Sequence, residues 1–101
     1  MAERDELRRL TDRGREEAEA TGRLLAGWNL PSPRVYTSRY LRARETAGIL
    51  AARLGSAEPA VLEGITPDDD PRTAWRRLAP LCVPGVTPVV ATHMPLVGAL
   101  I

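Results

Sequence analysis

The regular alternation of helical patterns and short apolar runs is the feature of this sequence that most constrains its fold. Four stretches have the spacing or the capping residues of helices: 10–30, about 38–54, 71–81 and the stretch that Pro95 opens. Three apolar runs between them predict strands: 34–37, a brief strand within 59–65, and 88–92. This alternation predicts an α/β fold with an open, mainly parallel sheet. The chain has no internal repeat and no linker, so we expect a single domain over residues 1–101.

Residue types at the helix ends and along the helix faces predict where the first three helices begin, end and pack. Thr11 is placed to cap the first helix and Gly55 to end the second. Asp70 followed by Pro71 is a typical start for the third. Apolar residues at steps of three and four predict the buried face of each helix. They are Gly14, Ala18, Leu25 and Trp28 in the first, Ala43, Ala47, Leu50 and Leu54 in the second, and Ala74, Trp75, Leu78 and Leu81 in the third. The run 88–92 is typical of a strand covered on both faces.

The composition excludes several classes of function. The formal charge is +1, which provides no general attraction to nucleic acid or to an anionic membrane. No apolar stretch has membrane-spanning length, and the charged N-terminus has no signal-peptide pattern, so we expect a cytoplasmic location. Cys82 is the single cysteine and His93 the single histidine, too few for an internal disulfide or a zinc site. The acidic run Asp68–Asp70 precedes a helix, where carboxylates are better explained as caps than as a cation site.

Two junctions between a strand and a helix are candidates for a functional site. Ser38 and Arg42 follow the strand at 34–37, and His93 follows the strand at 88–92. Ligands of open α/β sheets bind beyond the carboxyl ends of the strands, where helix N-termini favour anions. If the two strands are neighbours, Arg42 and His93 face one anion, since both side chains hydrogen-bond phosphoryl oxygens. Each residue also has a structural interpretation: Ser38 as a helix N-cap, Arg42 as part of a solvated helix face, and His93 as a polar loop residue.

Four segments together carry a resemblance to a known family. In chain order they read LTDRGREEAEATGRLLA, VYTSRYLRARETAGILA, LEGITPDDD and VVATHMPLVGALI. They resemble the histidine phosphatase superfamily and, within it, the SixA-like phosphohistidine phosphatases, with motifs of the form LT-x-x-G-x-x-A, S-x-x-x-R-A-x-x-T-A, L-x-P-x-x-D and x-H-x-P. The resemblance extends from about Leu10 to the end of the chain. It implies a three-layer α/β/α fold of the phosphoglycerate mutase type, with a mainly parallel sheet.

The resemblance also implies roles for individual residues. Arg42 corresponds to the family's second phosphate-clamping arginine and His93 to its second catalytic histidine, with Ser38 and Met94 as further phosphate contacts. The implied mechanism needs neither a metal nor a cofactor. A histidine in an R-H-G or R-H-A motif attacks the phosphoryl group, two arginines and the second histidine hold its oxygens, and water hydrolyses the phosphohistidine.

This sequence departs from the family pattern at the nucleophile. It contains no Arg-His pair, and its one histidine matches the second histidine of the family. We expect the first strand to lie before residue 1 and the last strands beyond Ile101, so that the chain is a truncated, incomplete domain that is inactive as it stands. We also expect the absent strand to leave a gap between 34–37 and 88–92, which predicts low stability or a homodimer that fills the gap.

Two functions therefore stay open at the level of sequence. The first is phosphoryl hydrolysis by the complete domain, acting on a phosphohistidine protein or on a small phosphate ester. The second is a noncatalytic module that binds phosphate or a phosphoprotein. Neither involves a nucleic acid or a membrane.

Overall fold

The computed structural model describes residues 7–66, 69–91 and 97–99. Its helices are α1 (Asp12–Ala26), α2 (Leu41–Leu54) and α3 (Pro71–Leu78), the last followed by a 3-10 turn over Ala79–Leu81. Its strands are β1 (Pro33–Thr37), β2 (Ala60–Val61), β3 (Thr87–Ala91) and β4 (Val97–Ala99). From α1 to β3 the elements follow one another in the order that the sequence predicts.

Capping residues set the ends of the three helices as predicted. Thr11 Oγ1 accepts a hydrogen bond of 3.0 Å from the N–H of Gly14 at the start of α1. Asp70 Oδ1 accepts one of 2.8 Å from the N–H of Arg72 at the start of α3. Gly55 ends α2 in the left-handed conformation, with φ of 65°. A glycine adopts this conformation at little cost because it has no Cβ.

The four strands form one sheet in the order β2-β1-β3-β4. β1 runs parallel to both β2 and β3, and β4 runs antiparallel to β3. The pairing of β1 with β3 extends from Pro33 opposite Thr87 to Thr37 opposite Ala91. All five residues of β3 are buried, as predicted for a strand covered on both faces. The α/β fold with a mainly parallel sheet is therefore confirmed.

The direct pairing of β1 with β3 corrects the expected gap in the sheet. An absent strand between 34–37 and 88–92 would leave their backbone N–H and C=O groups without partners, yet these two segments bond to each other. The prediction of a gap at this position is wrong. Low stability and a gap-filling homodimer lose the reason on which they were predicted, and the oligomeric state stays a prediction.

The stretch after β3 also differs from the prediction. The prediction of a helix after Pro95 is wrong for Val97–Ala99, because these residues pair with β3 as a strand. β4 lies along the edge of β3 that is not bonded to β1. Pairing there gives partners to the N–H and C=O groups of that edge, which a helix would have left unpaired. Pro95 itself lies outside the described residues.

The core lies between α2 and the sheet, and α1 packs against α2 and contributes Leu25 to the core. Its buried side chains are Leu25, Val35, Ala47, Leu50, Ala51, Val89 and Ala91. The face predicted for α2 is confirmed, because Ala43, Ala47 and Leu50 are buried and Leu54 packs against the core. Ala18 and Leu25 of α1 are buried as predicted.

Two tryptophans that the sequence places on buried helix faces are exposed instead. Trp28 is 57% exposed and Trp75 is 58% exposed. α1 ends at Ala26, so Trp28 lies in the turn beyond the helix rather than on its buried face. α3 packs Thr73 and Arg77 against the turn at Gly64, which leaves Trp75 on the opposite, solvent-exposed side.

A carboxylate of α2 holds the chain that enters α1. The Glu45 side chain is only 15% exposed. It accepts a hydrogen bond of 2.9 Å from the N–H of Leu10, and the guanidinium groups of Arg9 and Arg15 each lie 3.4 Å from it. Partial burial raises the pKa of Glu45, but these three donors together lower it by more, so the group is ionised at neutral pH. The start of α1 therefore lies beside the first turns of α2.

Candidate anion site

The carboxyl ends of β1 and β3 lie side by side. Ser38 directly follows β1, and its N–H donates a hydrogen bond of 3.3 Å to the carbonyl oxygen of Ala91, the last residue of β3. This pairing confirms that the two strands are neighbours, which was the condition for a shared site. His93 follows Ala91 by two residues. His93 and Met94 both lie outside the described residues, so their roles stay predictions.

Ser38 lies in the turn before α2 rather than at its N-cap. Its side chain is fully buried, and its Oγ accepts a hydrogen bond of 3.4 Å from the N–H of Tyr40. The residue at the N-cap position is Tyr40, which makes no side-chain capping bond. The N-cap interpretation of Ser38 is therefore wrong by two residues. The hydroxyl instead shapes the turn that leads from the sheet into α2.

Arg42 is the second residue of α2 and lies partly buried beside an aromatic ring. Its guanidinium carbon is 5.4 Å from the ring centroid of Tyr40, a buried residue, and that of Arg39 is 5.6 Å from the same ring. Cation–π contacts of this kind contribute about 0.5–1 kcal/mol at partly exposed sites. The Tyr40 ring thus supports two guanidinium groups at the start of the helix.

The first turn of α2 is the positive end of the helix dipole. It contains no acidic residue, and the N–H groups at a helix start lack carbonyl partners within the helix. The helix dipole adds to the charges of Arg39 and Arg42. Such an arrangement suits a tetrahedral oxyanion, which the planar guanidinium of arginine binds through two parallel hydrogen bonds.

A carboxylate near Arg39 was not predicted as part of this region. Asp69 Oδ2 accepts hydrogen bonds from Thr66, 2.6 Å from Oγ1 and 2.8 Å from the N–H. These two bonds, with a smaller contribution from the positive charge of Arg39, lower the pKa of the Asp69 carboxyl. In the acidic run, Asp70 caps α3 as predicted, whereas Asp69 bonds to the turn before it. The Thr-x-x-Asp spacing was the available signal for that turn.

The family comparison agrees with this geometry. Residues 4–66 match the family model of the histidine phosphatase superfamily, branch 1. The chain belongs to this superfamily. The segment matched includes Ser38 and Arg42 and ends at Thr66, so the resemblance seen in the sequence is confirmed for most of the chain. The comparison with curated proteins gives no match.

Two solved structures share the fold of this histidine phosphatase chain. One is the protein histidine phosphatase SixA complexed with tungstate, with 32% sequence identity and a TM-score of 0.76 over 97% of this chain and 64% of that one. The other is a phosphohistidine phosphatase SixA from Agrobacterium tumefaciens, assigned as such only provisionally, with 22% identity and a TM-score of 0.72 over 95% of this chain and 61% of that one. The chain therefore spans less than two thirds of the length of these structures.

The helices of the described residues include none that is both long enough and apolar enough to cross a membrane.

Proposed function

We propose that this chain supplies the phosphoryl-binding half of a SixA-like phosphohistidine phosphatase. The observation that carries the proposal is the parallel pairing of β1 with β3. It brings the turn at Ser38 and the positive start of α2 next to the end of β3, two residues before His93. In this proposal Arg42 clamps two oxygens of the phosphoryl group and His93 hydrogen-bonds a third.

The relative with tungstate bound supports the choice of ligand. Tungstate is a tetrahedral oxyanion with the shape and charge of phosphate, and it occupies the protein histidine phosphatase that is 32% identical to this chain. A positive helix start with two ring-supported guanidinium groups suits the same class of anion. Charge held ready at such a site stabilises the phosphoryl group as negative charge moves to the leaving atom.

In this proposal the 101 residues bind the phosphoryl group but do not turn it over. Hydrolysis through a phosphohistidine requires an attacking histidine, and the single histidine of the chain is assigned to binding. The substrate we favour is a phosphohistidine on a protein, with a small phosphate ester as the other candidate.

A noncatalytic binding module is the second candidate function. The absence of any Arg-His pair in the sequence favours it. The two candidates differ in what the whole protein does: a phosphatase needs a nucleophile contributed from outside these residues, and a binding module does not. Release of inorganic phosphate from a phosphohistidine peptide by the 101-residue chain would contradict both, since each assigns binding alone to these residues.

Titration of tungstate into the chain by calorimetry tests the proposed site. Removing one charged hydrogen-bonding partner costs about 1.5–3 kcal/mol, so Arg42→Ala should weaken binding about tenfold to a hundredfold. The tungstate affinity of Arg42→Lys should lie between those of the wild type and Arg42→Ala, because lysine keeps the charge and loses the two parallel hydrogen bonds of the guanidinium.

Arg44→Ala is the matched control for this titration. Arg44 lies on the same helix, two residues away, and is exposed. Its substitution by alanine removes the same charge as Arg42→Ala. We expect it to leave the affinity nearly unchanged. If Arg42→Ala and Arg44→Ala weaken tungstate binding equally, binding is general charge attraction and not a site at Arg42. An unchanged affinity in Arg42→Ala would refute the site.

A further inference from the structure

Tyr40 occupies the N-cap position of α2, although its residue type makes a poor helix cap. Its side chain forms no capping hydrogen bond with the N–H groups of the first turn. Serine, threonine, asparagine and aspartate stabilise this position best, and tyrosine is not among them. The side chain is also buried, with only 3% of its surface exposed. A residue that departs from the local preference beside a site is a candidate for a functional role.

Backbone hydrogen bonds on both sides hold Tyr40 in place. Its N–H donates to Ser38 Oγ at 3.4 Å, and its carbonyl oxygen accepts from the N–H of Arg44 at 3.0 Å. The N–H of Ser38 in turn donates to the carbonyl oxygen of Ala91. The backbone that carries the ring is therefore tied to the carboxyl ends of β1 and β3 through the turn that leads into α2.

The ring of Tyr40 contacts the guanidinium that is assigned to the phosphoryl group. The guanidinium carbon of Arg42 lies over the ring, 5.4 Å from its centroid. A guanidinium donates its hydrogen bonds in its own plane, so its face can contact a ring while its edge binds two oxygens of an anion. The contact restricts a long side chain that would otherwise lose its rotamer freedom only when an anion binds. Restricting it beforehand raises the affinity, because less ordering is left for the binding step.

From this geometry we infer that Tyr40 is a positioning residue, whose ring sets the guanidinium of Arg42 for the phosphoryl group. The inference rests on the proposed function and gives Tyr40 a role that needs no contact with the substrate. Arg39 contacts the same ring, but it is exposed and precedes the helix, whereas Arg42 is partly buried in the first turn. In this inference the ring acts on anion binding through Arg42.

Calorimetric titration of tungstate into Tyr40 variants tests this role. Tyr40→Leu keeps a buried apolar side chain and removes the ring. It should weaken binding about threefold to tenfold, the fold-change that corresponds to ordering one long side chain. Tyr40→Phe keeps the ring and should bind within about twofold of the wild type. Tyr36→Leu is the matched control, because it removes the other tyrosine of the chain, on β1, and should leave the affinity unchanged.

Double variants show whether the ring acts through Arg42. In an Arg42→Ala chain, Tyr40→Leu should change the tungstate affinity by less than about twofold, because no guanidinium is left to position. In an Arg39→Ala chain, Tyr40→Leu should still weaken binding about threefold to tenfold. A ring that only supports the fold would weaken binding equally in all these chains, and that result would overturn the inference.

NMR of the wild-type chain checks the contact without any substitution, so the test does not depend on the folding of Tyr40→Leu. Nuclear Overhauser effects between the Tyr40 ring protons and the Arg42 side chain should be present before tungstate is added and should remain at saturation. Their absence from the ligand-free chain, or their loss on binding, would overturn the role of Tyr40.

The outcomes separate this role from the proposed function. A wild-type chain that binds no tungstate overturns the proposed function, and the role of Tyr40 with it. A chain that Arg42→Ala weakens but Tyr40→Leu does not overturns the role of Tyr40 alone. A loss that Tyr40→Phe or Tyr36→Leu shows to the same extent as Tyr40→Leu also overturns that role alone.

Discussion

One buried ring organises the positive charge at the start of α2. Tyr40 has its N–H held by Ser38 Oγ, its carbonyl accepts a hydrogen bond of 3.0 Å from the N–H of Arg44, and its ring lies beside Arg39 and Arg42. The segment RYLRAR, with three arginines in six residues, looks like a solvated helix face when only its charge is considered. The burial of Tyr40 is what distinguishes Arg42, which is partly buried, from the exposed Arg44.

The hydrogen bonds between Thr66 and Asp69 lead to a prediction about the pKa of one residue. Hydrogen bonds from the Thr66 hydroxyl and N–H lower the pKa of Asp69, with the charge of Arg39 contributing less. A lowered pKa in the folded state stabilises the fold above the ordinary aspartate pKa of about 3.9, and this contribution is lost as the pH falls through the folded pKa. Thr66→Val removes the hydroxyl at similar volume and should raise the pKa of Asp69 toward its ordinary value.

A carboxyl-carbon NMR titration measures this pKa directly. Asp69 should titrate below the ordinary range in the wild-type chain and closer to it in Thr66→Val. An Asp69 pKa that does not change in the variant would mean that the turn at Thr66 is not formed as described.

At the scale of elements, α2 joins the core to the anion site. Its buried face, Ala43, Ala47 and Leu50, packs on β1 and β3, and its first turn carries Arg42. Two glycines lie on its opposite, exposed side. Gly48 is within the helix, and Gly55 ends the helix with φ of 65°. A Cβ added at either glycine would lie in open space, so the two positions differ in backbone conformation and not in available space.

Alanine at these two positions should change stability in opposite directions. Gly48→Ala should raise the free energy of unfolding by about 0.5–1 kcal/mol, because alanine loses less backbone entropy in a helix. Gly55→Ala should lower it by about 1–2 kcal/mol, because an L side chain is strained in the left-handed region. Urea denaturation of the three proteins measures both changes. Changes of the same sign would contradict the assigned conformation of one of the glycines.

For the molecule as a whole, the alternation of patterns was enough to predict an α/β fold with a mainly parallel sheet. The helix caps at Thr11, Gly55 and Asp70 were also predictable, since they depend on a few adjacent residues. The pairing of the strands was not predictable from the sequence, because register and strand order depend on contacts between distant segments. The expected gap between β1 and β3, and the expected helix in place of β4, were wrong for this reason.

The exposed tryptophans show a second limit of the sequence pattern. Periodicity predicts that an apolar residue lies on a certain helix face, but not that the face is covered. Trp75 fits the stripe of its helix, and the structure leaves it in solvent because α3 packs through Thr73 and Arg77. In the site, Arg42 and Ser38 were predictable from the motif, whereas the burial of the Tyr40 ring beside Arg39 and Arg42 depends on the fold.

In the proposed function, the carboxyl ends of β1 and β3 form an oxyanion site with the start of α2. Amide chemical shifts of the ¹⁵N-labelled 101-residue chain, followed by NMR as tungstate is added, test it most directly. We expect the largest shift changes from Ser38 to Arg42 and at Ala91, with little change at Arg34 and Thr87 at the opposite ends of the same strands. Shift changes centred on Arg34 and Thr87, or spread over the surface without a centre, would contradict an oxyanion site at the start of α2.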